Sequence, residues 1–210
     1  MNAPQLYALI TCAAGLLLLL GWAYVTTDNP RSSRIFLKSV VLFVIPIGVV
    51  VALPERLFQS PLSMWLVVLI EESLKATAAS TEQRPTDRFL LVALFGIWEL
   101  VWVKPLWGLG HFAVLEDWSN LQLAGLTAAG VVTVLMHGVT AEIYAFRFTR
   151  RLPLALLVSW ILHTTFNESV DMLGVSLVAS LVQLVLLILL FGALWPKGIK
   201  FSATPSSSSS

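Results

Sequence analysis

The sequence predicts an all-α, polytopic integral membrane protein, a helical bundle of about seven transmembrane helices. Three observations lead there. The 210-residue chain is 57% hydrophobic and 12% charged, with a mean hydropathy of +0.84, whereas a soluble domain carries about 25% charged residues. Its apolar residues fall into runs of roughly 20, the length that crosses ~30 Å of hydrocarbon. The basic residues gather in every second connection between those runs. This composition excludes an ordinary cytosolic enzyme, a disordered chain and a secreted disulfide scaffold. With 13 Lys and Arg against 12 Asp and Glu the net charge is +1, so no basic face is left over for nucleic acid. The single cysteine, Cys12, can form neither an intramolecular disulfide nor a zinc site with other cysteines.

The runs lie at about 6–25, 36–53, 61–79, 89–109, 121–147, 153–171 and 173–195. The first follows Met-Asn-Ala-Pro-Gln, which has no basic region, so it reads as a retained span and not as a cleaved signal peptide. Its leucines from Leu16 to Leu20 read as lipid-facing bulk. Pro46 is expected to kink the second run. The third and sixth are the least hydrophobic because they hold ionisable residues. The connection at about 110–120, with Glu116, Asp117 and Trp118, is the longest one expected outside. The tail from Ser202 ends in five serines and reads as disordered over 202–210, which leaves 1–201 as one transmembrane domain. Arg31, Arg34, Lys38, Arg84, Arg88, Arg147, Arg150, Arg151, Lys197 and Lys200 occupy the first, third and fifth connections and the C-terminal end, while the alternate connections hold Arg56 and Lys104. The positive-inside rule then puts the N-terminus outside and the C-terminus in the cytoplasm.

Charges inside hydrocarbon cost at least a few kcal/mol each, so they mark function or a buried partner. Here they sit at one level. Glu71, Glu72 and Lys75 lie in the third run, Glu99 in the fourth, His137 in the fifth, and His163 and Asn167 in the sixth. Counted from the cytoplasmic end of each run, Glu71, Glu99, His137 and His163 are each roughly ten residues in, ~15 Å at 1.5 Å per residue. Four segments of alternating direction thus bring their costly residues to one depth, within about 60–170. Glu71 and Lys75 are four apart and share a face, so Lys75 can neutralise the acids; Phe95 with Glu99, and His163 with Asn167, have the same spacing. Glu71 and Glu72 point about 100° apart, so one can face the site while the other meets a neighbouring helix. Two kinds of chemistry fit. Carboxylates and imidazoles activate water as general bases. Alternatively, Glu72, Glu99, His137 and His163 form a mixed oxygen and nitrogen set for a divalent metal such as zinc, with Glu71 left as base.

The ordered set Glu71-Glu72-x-x-Lys75, Phe95-x-x-x-Glu99, Met136-His137-Gly138-Val139-Thr140 and His163-Thr164-Thr165-Phe166-Asn167 resembles the motifs of the PrsW intramembrane proteases. These belong to the superfamily of CAAX proteases and bacteriocin-processing enzymes. In the CAAX branch the second motif ends in His; here Glu99 stands there, as in the PrsW branch. The resemblance covers about residues 60–170. It implies hydrolysis of peptide bonds in or beside a bacterial plasma membrane, with Glu71 as base helped by Glu99, His163 and Asn167. It also implies a membrane protein or peptide substrate, such as an anti-sigma factor. The family is described both as glutamate-dependent and as metal-dependent. The absence of a His-Glu-x-x-His helix favours the metal-free version.

Plainer readings stand beside this one. Glu71 and Lys75 can be a buried structural pair, and the same superfamily resembles a scaffold subunit of γ-secretase, so a non-catalytic membrane scaffold is the alternative function. Asn167 reads as orienting His163 or a substrate carbonyl, and Phe95 as packing. Glu142 is read as lying near the cytoplasmic end, about 140° around the helix from His137, and outside the site. Glu168 and Asp171 are read as solvated near the outer surface. A haem held between His137 and His163 and a proton-coupled transporter are the remaining classes.

Overall fold

The computed structural model of the chain describes residues 3–51, 61–110, 119–173 and 176–196. The serine-rich tail, Lys197, Lys200, Arg56 and the connection carrying Glu116, Asp117 and Trp118 lie outside the described residues. All regular structure among the described residues is helical. Helix α1 spans Ala3–Val25. Helix α2 (Ser32–Ser39) runs through a π-helical turn (Val40–Val44) into α3 (Ile45–Val51), and α4 spans Pro61–Ser80. Helix α5 (Pro85–Trp98) runs through a second π turn (Glu99–Val103) into α6 (Lys104–Gly110). Helix α7 (Asn120–Glu142) ends in a third (Ile143–Arg147), and α8 (Leu152–Leu173) and α9 (Leu177–Leu194) follow. Among the described residues four stretches are long and apolar enough to cross a membrane: Ala3–Val25, Pro85–Leu106, Leu121–Arg147 and Leu177–Leu194.

Local chemistry sets the ends and the irregularities. Ser119 caps α7 in a reciprocal box with Gln122, and the Ser176 side chain accepts from the Ala179 N–H at the start of α9. The first two π turns each end two residues before a proline, Pro46 and Pro105. A proline has no N–H to give the carbonyl four residues back, and its ring crowds that carbonyl. The helix widens instead: the Ile45 N–H reaches the Val40 carbonyl and the Lys104 N–H reaches the Glu99 carbonyl, a five-residue step. The kink expected at Pro46 is therefore expressed as a widened turn just before it.

Helix α7 is central and packs against α1, α5, α8 and α9. One core cluster includes Val92, Met136, Tyr144 and Phe166; a second includes Ile35, Phe43, Leu94 and Phe95. Helix α1 crosses the second π turn at Gly15, where an added Cβ would meet Val101 Cγ2 at 2.5 Å and its backbone N at 3.0 Å, so only glycine fits. Leu17 and Leu20 are 69% and 67% exposed, as bulk facing lipid requires; Leu19, in the same leucine run, instead turns inward onto the second cluster. An exposed leucine and valine face on α9 matches that of α1.

One end of the bundle is tied by ions. Arg34 and Lys38 meet the buried Glu82 at 2.7 and 2.5 Å, and Arg31 meets the buried Asp87 at 3.1 Å. Arg88 donates to the Glu82 carbonyl at 2.9 Å and the Thr149 carbonyl at 3.0 Å. Arg147 donates to the last carbonyls of α9. The first, third and fifth connections and the end of α9 thus share one end. This is the alternation that the basic residues imply.

Candidate functional site

The sequence places its ionisable residues at one depth, and the fold brings them together. Helix α4 supplies Glu71, Glu72 and Lys75, α5 supplies Phe95 and leads into Glu99, α7 supplies His137, and α8 supplies His163 and Asn167. Lys75, fully buried, places Nζ 2.5 Å from Glu72 Oε1 and 2.7 Å from His137 Nδ1, and 4.6 Å above the Phe95 ring. An ammonium has only protons to give, so His137 Nδ1 accepts. Its Nε2 then carries the proton and donates in a short hydrogen bond to Glu99 Oε2. Glu99 Oε1 pairs with Lys104 Nζ at 3.0 Å. Glu72 also accepts from His163 Nδ1 at 2.9 Å, and the Tyr144 hydroxyl donates to its backbone carbonyl at 3.0 Å and to Oε2 at 3.2 Å.

Gly96 makes this approach possible. A Cβ there would lie 2.8 Å from His137 Cβ and 2.9 Å from its Cδ2, so any side chain at 96 would push α7 off α5. The Phe95 ring rests against the His137 imidazole, with centroids 5.1 Å apart.

Glu71 stands apart. Its side chain is 24% exposed, and His163 Nε2 lies 3.8 Å from its Oε2. With Nδ1 donating to Glu72, a neutral His163 imidazole presents Nε2 as an acceptor on the Glu71 side. The Asn167 side chain, partly buried one turn further along α8, makes no hydrogen bond with a described residue. The Glu71 carboxylate and His163 Nε2 likewise have no hydrogen-bond partner among the described residues.

Several expectations change. Lys75 pairs with Glu72 at the i,i+3 spacing and not with Glu71 at i,i+4. Glu99 has both oxygens engaged, one by His137 and one by Lys104, so it has none free to act on water. Glu142 lies outside the cluster, as expected, but it is fully buried, and neither carboxylate oxygen has a partner among the described residues. Glu168 is not fully solvated, since Trp65 Nε1 donates to it at 3.1 Å. His137 and His163 touch edge to face with centroids 4.9 Å apart, which leaves no room for a haem between them.

Two residues of the cluster escape sequence reasoning. By sequence Lys104 belongs to an outside connection, five residues beyond Glu99. In a regular α-helix that spacing puts them about 140° apart. The π turn set by Pro105 stacks them instead, and Pro105 was the available signal. Tyr144 lies inside the third π turn and carried no signal of its own.

The metal expectation can be tested against the donors. Glu72, His137 and His163 can each present one ligand atom within 4.8 Å of the others, and a carboxylate with two imidazoles suits zinc. The Lys75 ammonium, however, lies against the Glu72 and His137 donor atoms and brings its own positive charge there. Glu99 is separated from Glu72 by the His137 ring that it contacts. In this arrangement the four residues do not fit a cation.

No family model matches the chain, and no curated protein or solved structure matches it.

Proposed function

We propose that the chain is an intramembrane endopeptidase of a bacterial plasma membrane that cuts membrane-associated protein substrates at a Glu71–His163 site. Its seven helical segments each cross the bilayer, with the N-terminus outside and the end bearing Arg31, Arg84 and Arg150 in the cytoplasm. The observation that carries the reading is the contrast within the cluster. Glu71 is the acid with exposure and an unused carboxylate, and it faces the free nitrogen of His163 at 3.8 Å. One water can be held by both. Glu71 takes its proton as the oxygen attacks a peptide carbonyl, and returns it to the leaving amine. The Asn167 amide, one turn along α8 from His163, donates to the carbonyl oxygen as it becomes an oxyanion. Glu72 holds His163 in the needed tautomer, and Lys75, His137, Glu99 and Lys104 hold Glu72. A substrate needs a helix-breaking segment, because a regular helix hides its peptide bonds in its own hydrogen-bond ladder.

The test is co-expression with candidate single-span substrates, an anti-sigma factor among them, followed by blotting for a shortened product. Wild type should cut, and Glu71→Ala and His163→Ala should not. Identical cleavage by wild type and both well-folded mutants would end the catalytic assignment. A scaffold is the second reading, favoured by the closed network from Glu72 to Lys104. It wins if no substrate is cut while the same mutants break a stable complex with another membrane protein.

A further inference from the structure

The bundle is not closed between α8 and α9. A groove of about 730 Å³ runs there, walled by Val158, Leu162 and Thr165 of α8 and by Leu190 and Leu194 of α9, with Arg147 at one end. The Thr165 hydroxyl is turned back to its own helix, donating to the Ile161 carbonyl at 2.8 Å, so the wall it offers is a methyl group. From Val158 to Thr165 the groove follows α8 for about 10 Å, at 1.5 Å per residue.

The rim is different. Arg147 Nη2 donates to the carbonyls of Ala193 and Leu194 at 3.1 and 2.7 Å, which caps α9 and fixes the guanidinium. Its Nε and Nη1 donate to no described residue. Arg150 and Arg151, both exposed, follow in the same connection. An apolar slot parallel to the helix axes, with a held cation at its mouth, is complementary to an amphiphile of matching order: a hydrocarbon chain in the slot and an anion on the guanidinium. A zwitterionic head is a poorer match, because its ammonium meets the same arginines.

We propose that this groove binds an anionic glycerophospholipid, with one acyl chain between α8 and α9 and the phosphate on Arg147. The inference rests on the membrane reading and its orientation, and not on the catalytic assignment. It gives the lipid a defined place, on a face of α8 turned away from His163.

The test is native mass spectrometry of the full chain, delipidated in detergent and titrated with phosphatidylglycerol or phosphatidylcholine of matched chains. Wild type should retain phosphatidylglycerol at about fivefold lower concentration, the factor expected for one basic residue at an anionic headgroup. Arg147→Gln should bring the two lipids level. Because that change also uncaps α9, Thr165→Trp is the second variant: it fills the slot from an exposed position, leaves the rim intact, and should weaken retention of phosphatidylglycerol. Equal retention of the two lipids by wild type overturns the proposal. So does an undiminished phosphatidylglycerol preference in both variants. Neither result bears on substrate cleavage.

Discussion

Glu71 and Glu72 are neighbours in sequence and opposites in structure. Glu72 is fully buried, and its carboxylate meets Lys75, His163 and Tyr144. Glu71 is 24% exposed and has only His163, at 3.8 Å, outside hydrogen-bond range. The difference extends outward from each. From Glu72 a chain of contacts runs through Lys75, His137 and Glu99 to Lys104, and each carboxylate oxygen along it has a partner. From Glu71 a short limb runs to His163 Nε2, 3.8 Å away, with acceptor capacity to spare. A buried polar network that is fully satisfied holds one geometry, and a partly satisfied one has capacity left for a ligand. The same cluster thus has a closed limb that positions and an open limb that can react.

The largest expected effect comes from breaking the closed limb at its middle. Lys75→Met should destabilise the protein by ~3–5 kcal/mol, the usual cost of removing one partner from a buried charge pair. The measurement is thermal unfolding of the purified protein in detergent. The double mutant Lys75→Met, Glu72→Gln should recover part of the loss, since no buried charge is then left alone at that point. A Lys75→Met protein as stable as wild type would show that the closed limb holds nothing.

Glu71→Gln, in the open limb, should do the reverse. Turnover should fall at least ~10²-fold, the lower range for a general acid–base group. Stability should stay within about 0.5 kcal/mol, as for substitutions that touch no packed feature. His163→Ala combined with Glu71→Gln should lose little more than either change alone, because the two act on one water. Additive losses in turnover would separate them into different steps and undo the pairing.

Gly96→Ala tests how close the limbs must lie. An added Cβ 2.8 Å from His137 forces α5 and α7 apart. Overpacking of this kind costs ~1–3 kcal/mol. The predicted signature is a loss of stability together with a loss of turnover, since moving His137 also moves Glu72 and, through it, His163. Unchanged turnover in a destabilised Gly96→Ala protein would mean that the open limb is positioned by α4 and α8 alone.

How much of this the sequence carries follows from its periodicities. The helices were readable because each is a run of apolar residues bounded by basic or turn-forming ones. The common depth of Glu71, Glu99, His137 and His163 was readable because a helix converts residue count into distance. What was hidden depends on the helix departing from 3.6 residues per turn. Lys104 reaches Glu99 only through the widened turn before Pro105, so a helical wheel puts it on the wrong side. Tyr144 reaches Glu72 from within another widened turn. The partner of Lys75 was hidden for another reason. Both glutamates are within reach at i,i+3 and i,i+4, and only the tertiary neighbours, His163 and Tyr144 beside Glu72, select between them. Glu142 shows the limit most plainly: its angle from His137 puts it outside the site, and only the packing around α7 reveals that it is completely buried.

The smallest expected effect tests where the closed limb ends. The Tyr144 hydroxyl donates to the Glu72 carbonyl and to Oε2 of its carboxylate, the oxygen that Lys75 and His163 leave to it. Tyr144→Phe keeps the ring, which packs in the core with Met136 and Phe166, and removes only the oxygen. The loss should be about 1 kcal/mol, the net worth of a typical hydrogen bond, and thermal unfolding should resolve it. Because Lys75 and His163 still hold Glu72 Oε1, the geometry passed to His163 should survive, and turnover should barely change. This separates positioning through Oε1, held by Lys75 and His163, from positioning through Oε2. If Tyr144→Phe lowers turnover as far as Glu71→Gln does while the protein stays folded, the boundary drawn between the limbs is wrong. Tyr144 would then belong with the residues that act on the substrate.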